Sequence, residues 1–315
     1  MENFLDKTIK LTINNYRAAK FELRNDGDLI NHLASLIFTH KNTDIPFDKV
    51  KLIRKYIKAS TSRISPFRGE FLYILSLLIA KEENEKDIIE NMYLNFELLK
   101  DSGFKECEYL ALTAYVLTKY NKYKDINDVV YRMKEIFNSL KRRYENVTNE
   151  DDYLISALWA LNDIDIESIE EFIENIFNEM KYISIKSKNS IQGLTNSLIL
   201  KGSSGNMYKT LELMIQMENN NIKIASQFLP LLGVLTNKDI RNSSNLIKEV
   251  TSKLKEEESE YEYYIDKGFR TIIALSIISF SCDKEEREYI DELLALGTFS
   301  FIKSKNKGVI YEALA

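Results

Sequence analysis

Residues Ser65 to Ala80 read SPFRGEFLYILSLLIA, and this stretch decides the fold because its pattern keeps returning along the chain. What returns is a short segment, apolar on most sides and preceded by polar or acidic residues. Aligning Leu72 with Leu110, Leu154, Ile191, Phe228 and Thr271 puts successive copies 37 to 44 residues apart. Seven residues into each copy stands another apolar side chain: Ile79, Leu117, Leu161, Leu198, Leu235 and Ile278. A helix that is apolar nearly all round has to be covered by neighbours on both sides.

Between these segments lie longer ones with a single apolar stripe. Ile88, Ile89, Met92, Tyr93, Phe96 and Leu99 form the first; Ile126, Val129, Val130, Met133, Phe137 and Leu140 form the second. Ile166, Ile169, Phe172, Ile173, Ile176 and Met180 form the third. Spacings of three and four residues put these groups on one side of an α-helix, with Lys, Glu and Asn facing water. The two-residue alternation of strands is nowhere sustained. The expectation is therefore an all-α chain of stacked antiparallel helical hairpins, a superhelix or solenoid with a repeat of about 40 residues, open or strongly curved.

Composition agrees with one elongated domain over residues 1–315. Three prolines and ten glycines occur in 315 residues, without a Gly/Ser linker, so no boundary is visible. Residues 1–62 read as atypical N-terminal helices, 63–296 as repeats and 297–315 as a C-terminal tail or cap, since terminal repeats turn one face to water. A formal charge of -5 argues against non-specific nucleic-acid binding. Cys107 and Cys282 lie far apart and suit reduced residues of a cytoplasmic protein better than a disulfide framework. The opening MENFLDKTIK carries acidic residues and lacks an apolar core, so no signal peptide is expected. The longest apolar run, Phe71 to Ala80, is about half of what a bilayer needs, so no membrane span is expected.

Local signals mark the helix ends. Asn25, Asp26 and Gly27 stop a first helix, and a second runs from about Asp28 to His40. Pro46 opens a third. Ser65 has the oxygen to cap the next helix, with Pro66 in its first turn. Gly103 followed by Phe104 reads as a left-handed stop with an apolar clamp. Thr148 and Asp151 have the spacing of a capping box, and Asp125 and Asp165 read as caps of the long helices after them.

SPFRGEF (65–71), LLKDSGF (98–104), NEDDYLISALW (149–159) and NSIQGLTNSLIL (189–200), in this order and at these separations, resemble a bacterial family known only as a domain of unknown function, the four-thousand-and-third of that series. The resemblance covers nearly the whole chain and implies no activity. The pattern of that family often has a His-Pro pair ahead of the threonine that precedes DDY. Here Arg143, Tyr144 and Glu145 stand there, so no role for that histidine carries over.

The candidate binding groups are those preceding or opening the short helices: Arg68 and Glu70, then Glu106 and Glu108, then Asp151 and Asp152. Lined along one rim, these groups would hold a metal ion or a cationic peptide, with the arginine taking a carboxylate or phosphate. The plainer reading is that acids favour the first turn of any helix, each by about 0.3–1 kcal/mol. Gln192 and Asn196, one turn apart, extend the same surface or satisfy buried backbone groups. No catalytic residue, cofactor or metal site is indicated. His32 and His40, the two histidines, read as structural or surface residues. Gly202, Gly205, Lys209 and Thr210 lack the adjacency of a phosphate loop. Asp163, Asp165 and Glu167 lack the glycine turn of a calcium loop. Lys141, Arg142 and Arg143 suit a helix C-terminus.

Three functions fit. The first is a non-enzymatic helical repeat that binds a protein or peptide on its concave face. The second is an α/α-barrel-like protein whose acidic rim of Glu70, Glu108 and Asp152 acts on a small cationic or metal-bound ligand. The third is nucleic-acid binding through lysines, which the acidic total opposes. An open stack keeps the terminal hairpins apart, whereas a barrel brings them together.

Overall fold

The computed structural model describes residues 2–179, 188–200, 204–235, 243–280 and 289–306. Among them are sixteen α-helices, two short 3-10 turns and no strand. The chain is all-α, as the apolar spacing requires. Its contacts gather into two compact units, Asp48–Asn175 and a second made of Met1–Phe47 with Ile176–Ala315. The reading of one continuous run of repeats did not contain a unit assembled from both ends of the chain.

The first three helices are α1 (Glu2–Glu22), α2 (Asp28–Lys41) and α3 (Phe47–Ser60). The middle unit then alternates short and long helices: α4 (Gly69–Ala80), α5 (Glu85–Asp101), α6 (Glu108–Tyr120), α7 (Ile126–Arg143) and α8 (Tyr153–Leu161). The alternation has its cause in burial. In α4 every residue from Phe71 to Ala80 except Tyr73 is buried, and α6 is buried without a break from Leu110 to Leu117. In α5 only Ile89, Met92, Phe96 and Leu99 are buried, one residue per turn. Accordingly α6 packs against α5 and against α8, while α7 covers α8. Leu72, Leu110 and Leu154, the equivalent positions of the repeat, are each at most 1% exposed.

Helix α9 (Ile166–Glu179) leads out of the middle unit. The unit built from both ends continues with α10 (Lys188–Leu200), α11 (Ser204–Asn219), α12 (Leu229–Leu235) and α13 (Ser243–Glu257). It closes with the single turn α14 (Glu260–Tyr263), then α15 (Lys267–Ser279) and α16 (Ile290–Asn306). The α1–α2 hairpin packs on α13, α15 and α16. Ion pairs reinforce the joint: Lys253 to Asp6 at 2.9 Å, Arg17 to Glu258 at 3.0 Å, and Lys20 to Glu260. Helix α16 runs through residue 297, where the tail was expected to begin, because Leu293 to Phe299 are buried against the unit. Of the remaining positions of the repeat, Ile191 and Leu198 are 8% and 0% exposed. Met180 and Cys282 and the glycine Gly202 lie outside the described residues.

Several ends follow their sequence signals. Gly103 has a φ of +88°, and Phe104 N donates to Leu99 O at 3.2 Å while Gly103 N donates to Lys100 O at 2.8 Å. These are the two bonds of a Schellman stop. Asp125 accepts from Asn127 N, and Asp165 from Ser168 N. Two signals are displaced. Ser65 Oγ accepts from Phe67 N, and Arg68 N donates to Ser65 O, which closes a turn over Ser65 to Arg68. Gly69, at φ +62°, then redirects the chain, so α4 starts at Gly69 and Pro66 sits in the turn instead of the helix. The capping box before α8 pairs Asn149 with Asp152, one residue later than expected. Thr148 is fully buried with its hydroxyl donating back to Leu140 O, and Asn149 caps the new turn instead.

Candidate functional site

Arg68 stands at the N-cap of α4, where its guanidinium reaches backward. Nη2 donates to the carbonyls of Lys58 and Thr61 and Nε to that of Ser62. These oxygens close the C-terminal end of α3, which carries partial negative charge. Glu70 is exposed in the first turn of α4, and Glu108 is half-buried in the first turn of α6. Asp151 is half-buried in the 3-10 turn before α8, and Asp152 in the same turn is buried, accepting from Asn149 N at 3.0 Å. All five lie in the middle unit. Gln192 and Asn196 lie in the other unit, on α10, and both are fully buried. Among the described residues no three His, Cys, Asp or Glu side chains are grouped to hold a metal ion.

What the middle unit does form, next to Arg68, is an open groove of about 430 Å³ between the end of α3, the turn that follows it, and α5. Its floor is aromatic. The ring of Phe67 meets those of Tyr93 and Phe96 edge-on, with centroids 5.0 and 4.8 Å apart, an arrangement that favours ring pairs. Hydroxyls of Ser60, Thr61, Ser62 and Ser65 line one wall. Ser60 Oγ lies 2.9 Å from Tyr93 Oη, and burial pushes the Tyr93 phenol up from its ordinary range. Glu97 and Glu106 line the groove from α5 and from the stretch before α6. Both are more than half exposed, and Lys100 Nζ lies 3.0 Å from one and 3.6 Å from the other. The Lys100 ammonium also sits over the Phe96 ring, 5.7 Å from its centroid. Its bond to Glu97 holds its pKa above the ordinary lysine value. Ile64, in the turn, is 95% exposed and lines the groove as well.

The sequence named Glu106 and Arg68 as binding groups, and both stand at this groove or beside it. It did not name Glu97, Tyr93 or Ile64. Glu97 was read as solvated face and Tyr93 as apolar stripe, and both are half right, because a groove wall is one edge of a stripe.

The other unit holds a polar interior that spacing could not reveal. His32 stacks on Tyr16 with centroids 3.8 Å apart and planes 6° from parallel, and Tyr261 meets both edge-on. His32 is 1% exposed, and burial pushes its imidazole down to about 3. Tyr16 Oη donates to Glu260 at 3.3 Å; burial first, and then the Glu260 charge, raise its pKa. Arg270 donates to the carbonyl of Tyr261. The two histidines, read from sequence as structural or surface residues, both join the N-terminal hairpin to the C-terminal helices.

No curated protein and no solved structure matches the chain. A family model does, over residues 15–307. That span includes every described helix except the first turns of α1, and with it the groove and the joined ends. The chain belongs to the family described as Protein of unknown function (DUF4003).

Proposed function

We propose that the chain is a non-enzymatic helical-repeat protein of stacked hairpins that binds a protein or peptide partner. The observation that carries this reading is the groove of the middle unit. Open, aromatic-floored, rimmed by hydroxyls and carboxylates and flanked by a fully exposed isoleucine, it has the mix of apolar anchor sites and polar edges that peptide recognition uses. An exposed Ile in a turn gains nothing for the fold, whereas burying it against a partner removes its apolar surface from water. The test is a photo-crosslinking side chain placed at Ile64, with a control at the exposed Glu167 of α9, in cell lysate. Discrete adducts from position 64 and none from 167 support the reading. No adduct from 64, or the same adducts from both, overturns it.

A second reading is an α/α-barrel-like protein whose acidic rim, with Glu70, Glu108, Asp151 and Asp152, acts on a small cationic or metal-bound ligand. It is supported by Glu70 and Glu108, which both stand in the first turns of short helices of the middle unit. Glu70→Gln combined with Glu108→Gln then changes binding of manganese or spermidine at unchanged melting temperature. If that pair of changes chiefly lowers melting, the acids are helix caps and the rim reading fails.

A further inference from the structure

We propose that the edge of this groove, where Glu97 and Glu106 converge, is a seat for an arginine side chain of an extended peptide, and that Lys100, beside the groove, is the cation these two carboxylates hold until such a peptide arrives. This deepens the peptide-binding reading and rests on it.

The geometry supplies three reasons. First, one ammonium already lies within 3.6 Å of both Glu97 and Glu106, so the two carboxylates converge closely enough to share a single cationic group. Second, the same ammonium lies over the Phe96 ring, which attracts a cation through its negative face. A planar guanidinium suits this pair of features better than an ammonium does, because it can stack on a ring while its forked N–H groups reach carboxylates. Third, the guanidinium that stands beside the groove is turned away from it. Arg68 is spent on the carbonyls of Lys58, Thr61 and Ser62, so it neutralises a helix end and not the groove.

Lys100 is held loosely by comparison. Its side chain is 31% exposed, and Glu97 and Glu106 are 62% and 51% exposed, so its ion pairs are of the solvent-screened kind that contribute little to the fold. Displacing it costs correspondingly little, and the released ammonium goes to water on its flexible stem. Ile64, at the same groove, offers an apolar contact to the residue flanking the arginine.

The test uses the full chain and two fluorescent pentapeptides, Ala-Leu-Arg-Leu-Ala and the same sequence with citrulline in place of arginine, read by anisotropy. Citrulline keeps the shape and removes the charge. The expected result is saturable binding of the arginine peptide and binding about tenfold or more weaker for citrulline. Glu97→Gln with Glu106→Gln removes the preference, and Lys100→Met tightens the arginine peptide several-fold by clearing the seat. Glu97 and Glu106 are solvent-exposed and Lys100 is partly so, and an unchanged melting temperature checks the fold. Equal binding of the two peptides, no binding up to millimolar concentration, or a Lys100→Met protein no tighter than the parent overturns the proposal. If crosslinks from position 64 persist while the arginine peptide fails, this inference falls and the peptide-binding reading stands. If both fail, both fall.

Discussion

Nδ1 of His40 lies 2.8 Å from Oδ1 of Asp291, and both side chains are less than a tenth exposed. The two residues are 251 positions apart, one in the last turn of α2 and the other in the first turn of α16. A helix N-terminus favours an anion, so the Asp291 carboxylate sits where it is electrostatically suited. The His40 ring also stacks on Phe280 at 4.8 Å. Removing one partner of a buried hydrogen bond leaves the other unsatisfied, at a cost of about 1–3 kcal/mol. Asp291→Ala is therefore expected to lower the unfolding midpoint in urea strongly. An unchanged midpoint would mean that the pair does not hold the two ends of the chain together.

His32 sets a pH dependence whose sign is fixed. Its imidazole is held down at about 3 in the fold against 6.5 when exposed. The unfolded chain therefore binds the extra proton first as pH falls below 6.5, and the fold loses stability over the window from 6.5 to about 3. By pH 4.5 the loss from this group alone is about 2–3 kcal/mol. His32→Phe, which keeps a ring against Tyr16, is expected to flatten that part of the stability profile relative to the parent. Identical pH profiles of the two proteins would contradict the burial of a neutral His32.

Gly233 marks a backbone-close crossing of α10 and α12. A Cβ at this position would stand 2.9 Å from Leu198 N and closer still to Ser197 Oγ. The backbone nitrogen cannot rotate away, so Gly233→Ala forces the helices apart, at about 1–3 kcal/mol. Ser197→Gly in the same protein is expected to recover only part of the loss, as read from thermal melting. Full recovery would show that the hydroxyl alone sets the spacing.

Leu112 and Leu158, 1% and 0% exposed, sit in the middle of the buried helices α6 and α8. Each change to Ala is expected to cost about 2–5 kcal/mol. Since α6 and α8 pack on each other, the double mutant should depart from the sum of the two single losses. Strict additivity would separate the helices.

The helices were legible because burial writes itself into sequence at fixed intervals. Leu72, Leu110 and Leu154 could be aligned by eye, and Gly103 with Phe104 announced its stop. The capping box was missed by one residue because Asn149 and Thr148 both carry a suitable oxygen, and only packing shows that the Thr148 hydroxyl is turned inward. Nothing periodic in the chain announces that α1 and α2 pack beside α13 and α15. His32 and Tyr261 meet across 229 positions, and spacing arguments act over a few turns. For the groove, Glu106 was legible as an acid ahead of a helix. Glu97 was not, because an acid on the polar side of a stripe looks the same whether it faces water or a pocket.

The assembly of one unit from both ends of the chain is tested most directly by zero-length carbodiimide coupling of the intact protein, with the joined peptides identified by mass spectrometry. Lys253 and Asp6 are 2.9 Å apart and Lys20 pairs with Glu260, so both crosslinks are expected. They should appear together with Lys105 to Glu150 and Lys124 to Asp163, two of the pairs of the middle unit. Recovery of the middle-unit crosslinks without either of the terminal ones would contradict the account.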